Sequence, residues 1–141
     1  MGNNTDYLNR CIGALAIVGD ELRKMSADDV RYDIYRAACV KEFEIILEQS
    51  GKLLKKILRG YFATNKEADQ LMFKDIFRYA VRHGLIETDA CERWITYRDN
   101  RNNTAHDYGE NFAENTLPLL PDLIDDAKAL SKILNNNEQS A

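Results

Sequence analysis

Phe43, Leu47, Ser50, Leu54, Ile57 and Tyr61 fall at alternating steps of four and three along a stretch that runs without proline from about Val30 to Phe62. That spacing is the seam of one long helix packed at a shallow angle against antiparallel partners. Ile46, Leu53 and Leu58 widen the stripe into the face of a bundle core. At 1.5 Å of rise per residue, the helix would be on the order of 45 Å long. A chain of 141 residues with such a spine has little choice but to wrap other helices around it.

The remaining segments agree with an all-α, up-and-down helical bundle of four to five helices. No segment alternates apolar and polar residues between turn signals as a strand would. A first helix is expected from about Asp6 to Lys24, with Asn4 or Thr5 as N-cap and Leu8, Ile12, Leu15, Val18 and Leu22 on its buried side. Ser26 to Asp29 forms a polar turn before the spine. A third helix covers about Glu67 to His83 and stops at Gly84, a residue suited to the left-handed position after a helix. Thr88 or Asp89 opens a fourth helix through about Asn103. The fifth spans about Asn111 to Leu134, where Pro118 and Pro121 bend or restart it. Its buried face is Leu123, Ile124, Ala127, Leu130 and Leu134, and residues 135–141 form a polar, flexible tail.

One domain over residues 1–141 is large enough to bury a core without disulfide or metal staples. Cys11, Cys39 and Cys91 are odd in number and lack any CxxC or Cys/His spacing, so they are expected as core thiols. The apolar stretch Ile12 to Val18 is too short to span a bilayer and follows no basic leader, which points to a cytoplasmic protein without a membrane partner. The net charge of −4 argues at first against nucleic acid. It is unevenly placed: from Lys52 to Arg101 eleven basic residues face seven acidic ones. A locally basic middle can meet an anionic ligand that the global charge conceals. Lys52, Lys55, Lys56 and Arg59 form one basic face, and Lys74, Arg78 and Arg82 a row at steps of four, as candidate contacts to RNA or to an acidic partner.

The densest polar stretch is Arg98-Asp-Asn-Arg101-Asn102-Asn-Thr-Ala-His106-Asp-Tyr108. It can be a capped helix end or a site for phosphate chemistry. Arginine presents a rigid fork of donors to a phosphate, and histidine changes charge near neutral pH. Together they can stabilise a transferring phosphoryl group and move a proton. On an ideal helix, Arg101 and His106 lie roughly 140° apart with about 7.5 Å of rise, so they do not share a face. A single pocket built from both requires an irregular helix end or a second copy of the segment across a two-fold axis. Asp, Glu and His residues show no obvious metal-ligand spacing, so neither metal nor cofactor is expected.

Arg101-x4-His106-x-Tyr108, with Asn102 after the arginine, resembles the R-x4–6-H motif of the HEPN superfamily and its R-x4-H-x-Y form in HepT-type ribonuclease toxins. The stretch from Phe77 to Thr116, including Gly84-Leu85-Ile86, the surroundings of Trp94 and the run Arg101 to Tyr108, resembles nucleotidyltransferase substrate-binding proteins. Phe43-Glu44 through Glu48 to Lys52 resembles the long second helix of that family, and the likeness covers almost the whole chain. It departs at Gly51, where the family pattern leads one to expect an aromatic residue.

The resemblance implies a HEPN-type homodimer whose two motifs face one cleft, metal-independent RNA cleavage, and a cognate minimal (MNT-type) nucleotidyltransferase as antitoxin. It also implies that this partner adenylylates Tyr108. In such a site His106 is the general acid/base, Arg101 the clamp for charge on the phosphate oxygens, and Asn102 an orienting group, with Arg98 nearby. The alternative is a non-catalytic subunit that presents a substrate to the nucleotidyltransferase. Loss of the histidine would then matter less than loss of the arginine.

Overall fold

A computed structural model describes residues 5–103 and 110–140 of the chain. It is all-helical, with no strand among the described residues. Helix α1 (Thr5–Arg23) packs along α2 (Val30–Leu58), which is also in contact with α4 (Phe73–Arg82) and α7 (Leu120–Ser140). Helix α5 (Thr88–Asn103) lies against α4, and α7 closes the bundle against α1. Two short helices, α3 (Asn65–Asp69) and α6 (Glu110–Thr116), complete the order. Helix α2 is therefore the spine that its spacing predicts. Asp29 caps it by accepting a hydrogen bond from the Arg31 amide at 2.9 Å, satisfying one of the helix's free donors.

The buried seam holds as far as Leu54: Phe43, Leu47, Ser50 and Leu54 are fully enclosed, together with Ile46 and Leu58. It fails at Tyr61. The α-helix ends at Leu58 rather than near Phe62, and a 3-10 turn over Arg59–Tyr61 changes the rotation per residue. Tyr61 is consequently turned outward and left half exposed.

The helix expected from Glu67 to His83 divides into α3 and α4 around residues 70–72. Phase explains the break. Ala68 is buried, yet on a continuous helix it would lie roughly 180° from Phe77, which is buried too. Interrupting the helix lets both apolar faces meet the same core. Thr64 caps α3 by accepting from the Glu67 amide at 3.2 Å. At the other end of α4, Gly84 has φ +73°, with hydrogen bonds from Leu85 N to Ala80 O at 2.8 Å and from Gly84 N to Val81 O at 3.0 Å. This is the Schellman closure for which glycine is favoured.

Helices α4, α5 and α7 meet over an aromatic row. Trp94 stacks on Phe77 at 5.0 Å and meets Tyr97 edge-on at 5.5 Å, so Trp94 is a core residue. At Gly51 the aromatic ring comes from another element. A Cβ there would stand 3.1 Å from the Phe73 ring, which lies against the spine from α4. The three cysteines are buried and free, and burial raises each thiol, Cys39 to about 11.

Pro118 sits in a 3-10 turn (Leu117–Leu119) between α6 and α7, and Pro121 in the first turn of α7, where its missing N–H costs nothing. Beyond Leu134, where a tail is expected, α7 continues through Ser140. Thr5 donates to the Asn135 side chain at 2.8 Å, joining the two ends of the described chain. No helix is long and apolar enough to cross a membrane among the described residues.

Candidate functional site

The last turns of α5 carry Arg98, Asp99, Asn100, Arg101 and Asn102. His106 and Tyr108 lie outside the described residues. Arg98 is half-buried, its guanidinium 5.1 Å from the centre of the Phe73 ring, which gives the cation a flat apolar support. Burial, and next the neighbouring charge of Arg101, hold Arg98 below the ordinary arginine range, with Glu48 acting in the opposite sense. An anion arriving between the two guanidiniums would relieve that repulsion. Arg101 is 40% exposed and its Nε stands 3.8 Å from Glu44 Oε2 on α2. At that distance and exposure the pair is a weak, solvent-screened contact that a phosphate can displace. Asn102 is exposed on the same turn.

Both flanks of the motif are tied down. Asn100 Nδ2 donates to the buried Thr116 Oγ1 at 2.9 Å, linking α5 to the end of α6. From the start of α2, Arg36 Nη1 and the Tyr32 hydroxyl reach Glu114 of α6 at 3.3 and 3.2 Å. The described residues on either side of positions 104–109 are therefore both tied to other helices.

The basic residues expected as contacts divide into two sets. Several are engaged internally: Lys74 with Asp99 at 2.5 Å, Arg59 with Asp69 at 2.7 Å, and Arg78 with Asp75 at 3.7 Å. Arg82 lies over the Tyr79 ring at 5.0 Å. Lys52, Lys55 and Lys56 have no ion pair among the described residues and line a shallow groove on α2 with Gln49, Leu53 and Arg59. No group of three or more His, Cys, Asp or Glu gathers to hold a metal ion among the described residues.

Sequence reasoning assigned no role to Glu44, Glu114 or Asp126. Asp126 is nearly buried and accepts two hydrogen bonds from Arg93, at 2.9 and 2.8 Å, and one from the Tyr97 hydroxyl at 2.5 Å. An acid interrupting the buried stripe of α7 beside Ala127 was the available signal. The two others depend on contacts between helices, which periodicity does not encode.

The described residues form an all-helical bundle in which α5 carries two neighbouring arginines, Arg98 and Arg101, in its last described turns. The family model described as "Nucleotidyltransferase substrate binding protein like" matches residues 9–136. The chain belongs to this family, the HepT-like group. Among curated proteins it is 31% identical over 107 residues to "Probable ribonuclease HepT" of Haemophilus influenzae, covering 76% of this chain and 72% of that one. The solved structure of HI0074 from Haemophilus influenzae, described as revealing the fold of a substrate binding domain of a nucleotidyltransferase, superposes with a TM-score of 0.76 at 25% identity. That match covers 92% of this chain and 98% of HI0074.

Proposed function

We propose that this chain is a HEPN-type endoribonuclease toxin that cleaves RNA without a metal ion in the cytoplasm, and that a cognate MNT-type nucleotidyltransferase neutralises it. The observation that carries the reading is the partly exposed Arg98–Arg101 pair in the last described turns of α5, with Arg98 seated on the Phe73 ring, followed in the sequence by the segment bearing His106. The relative named as a ribonuclease adds support. His106 takes the proton from a ribose 2′-hydroxyl as that oxygen attacks the adjacent phosphorus. The bond to the 5′-oxygen breaks and that oxygen takes up the proton held by His106, leaving a 2′,3′-cyclic phosphate and a 5′-hydroxyl. Arg101 stabilises the charge that grows on the phosphate oxygens, and Asn102 orients the reacting groups.

The reading includes a homodimer. Val30 and Ile34 are 76% and 60% exposed, and with exposed Ala37 they share the face of α2 that carries Glu44. A second copy on this stripe would cover it isologously and bring the two motif ends toward one cleft. Neutralisation is assigned to adenylyl transfer from ATP to the Tyr108 phenol, in which the phenolic oxygen bonds to the α-phosphorus and pyrophosphate leaves. This adds a negative charge and a nucleoside to the segment that follows Arg101 in the sequence.

The test is cleavage of a labelled RNA in EDTA. Arg101→Ala and His106→Ala are each expected to lower the rate by about 100-fold or more with the melting temperature nearly unchanged. Full activity in His106→Ala overturns the acid/base assignment. An inert parent that still forms a complex with the nucleotidyltransferase would favour the substrate-presenting subunit instead. In co-expression, the intact mass should gain whole adenylyl groups mapped to Tyr108.

A further inference from the structure

Tyr61 and His83 form an exposed stacked pair just past the C-terminal end of α2, whereas Arg101 rests on Glu44 near the middle of that helix. Their ring centroids are 4.0 Å apart and their planes 20° from parallel. Tyr61 is 49% exposed and His83 is exposed on the turn that closes α4. The 3-10 turn at Arg59–Tyr61 takes Tyr61 out of the seam, so this ring contributes little to the core. We propose that the pair is a stacking platform for an unpaired base, and that the lysine face of α2 carries the RNA backbone between this platform and Arg101. The proposal rests on the RNA reading above and narrows the substrate to single-stranded RNA.

Three features support it. Glu44, Glu48, Lys52, Lys55 and Arg59 follow one another at steps of three and four, so the lysines continue the ridge on which Arg101 rests. From Glu44 to Arg59 the rise is about 22 Å, a span on the order of four nucleotides or more. The carboxylates on that ridge are opposed by arginines: Glu44 faces Arg101, and Glu48 acts on Arg98. Lys52, Lys55 and Lys56, by contrast, have no ion pair among the described residues and line one groove. At the far end, the outer faces of two flat rings offer what a backbone-binding track lacks, a surface that accepts any base and rejects a paired one. An acidic protein would use the lysines but has no need of the rings.

The experiment measures fluorescence anisotropy of labelled RNA on the full-length chain carrying His106→Ala, so that the probe survives. The probes are an unstructured 12-nucleotide RNA and a 3-nucleotide RNA too short to span α2, taken as about the upper and lower limits of the track. Tyr61→Ala should weaken the longer RNA by about fivefold or more and leave the shorter one unchanged. Tyr61→Phe should keep full affinity. Because Tyr61 is half exposed, the melting temperature checks that Tyr61→Ala still folds, and His83→Ala provides an independent variant. Unchanged affinity in both alanine variants, with weaker binding in Lys52→Glu, would leave a track without a platform and overturn the proposal. If the parent binds neither RNA at low salt, the RNA reading itself fails. Equal losses on duplex and single-stranded RNA would show that the rings do not select unpaired bases.

Discussion

At residue scale, the phosphate role proposed for Arg101 has to contend with a carboxylate within reach. Glu44 and Arg101 are each two-fifths or more exposed and 3.8 Å apart. Such a pair contributes little to stability, about 0–1 kcal/mol. Its larger effect is competition, since the oxygen of Glu44 occupies a direction from which a phosphate oxygen could approach. Glu44→Gln is expected to tighten RNA binding by at most about fivefold, measured by titration on the His106→Ala chain, with stability changed by no more than about 1 kcal/mol. Weaker binding would mean that Glu44 instead holds Arg101 in its working position. Arg101 is legible in the sequence because its chemistry and spacing stand together in one segment. Glu44 is legible only as part of a helix pattern, because its partner comes from a distant part of the chain.

Between elements, the same distinction between local and non-local information explains what periodicity predicts. The spine, the start of α5 and the stop at Gly84 follow from spacing, capping and the φ of one glycine. The division of α3 from α4 depends on Ala68 and Phe77 meeting one core, and the outward turn of Tyr61 depends on how α2 ends. The tie between α5 and α7 is also non-local: Tyr97 and Arg93 both donate to Asp126. Burial, and then the hydrogen bond to Asp126, push the Tyr97 phenol above the ordinary tyrosine range. Above a pH of about 10 the unfolded chain gives up this proton while the folded chain keeps it. Tyr97 therefore contributes its full stability below that pH, and the contribution is lost as pH rises toward the folded value. Tyr97→Phe should cost about 2 kcal/mol at pH 8 in urea unfolding. The gap to the parent should narrow above a pH of about 10, by at most about 1.4 kcal/mol per pH unit. A gap that stays constant to pH 11 would show that the phenol is not the alkaline-sensitive group.

For the whole molecule, the roughly 140° offset between Arg101 and His106 on a regular helix leaves two ways to assemble one site. Either the chain leaves helical geometry and both residues come from one copy, or each site takes its arginine from one copy and its histidine from the other. Arg101 itself stands on α5, which is helical through Asn103. The exposed stripe of Val30, Ile34 and Ala37 provides a face on which two copies can meet. Mixing the two inactive variants separates these arrangements. In a heterodimer of Arg101→Ala and His106→Ala, a composite arrangement restores one complete site and leaves the other without either residue. Statistical exchange at equal concentrations should then recover about one quarter of the parent's cleavage rate. Sites built within one copy would recover none, because every copy in the mixture lacks one of the two residues. Light scattering on the same mixture fixes the dimer fraction, so a zero rate among dimers that have exchanged subunits would place Arg101 and His106 of each site in a single chain.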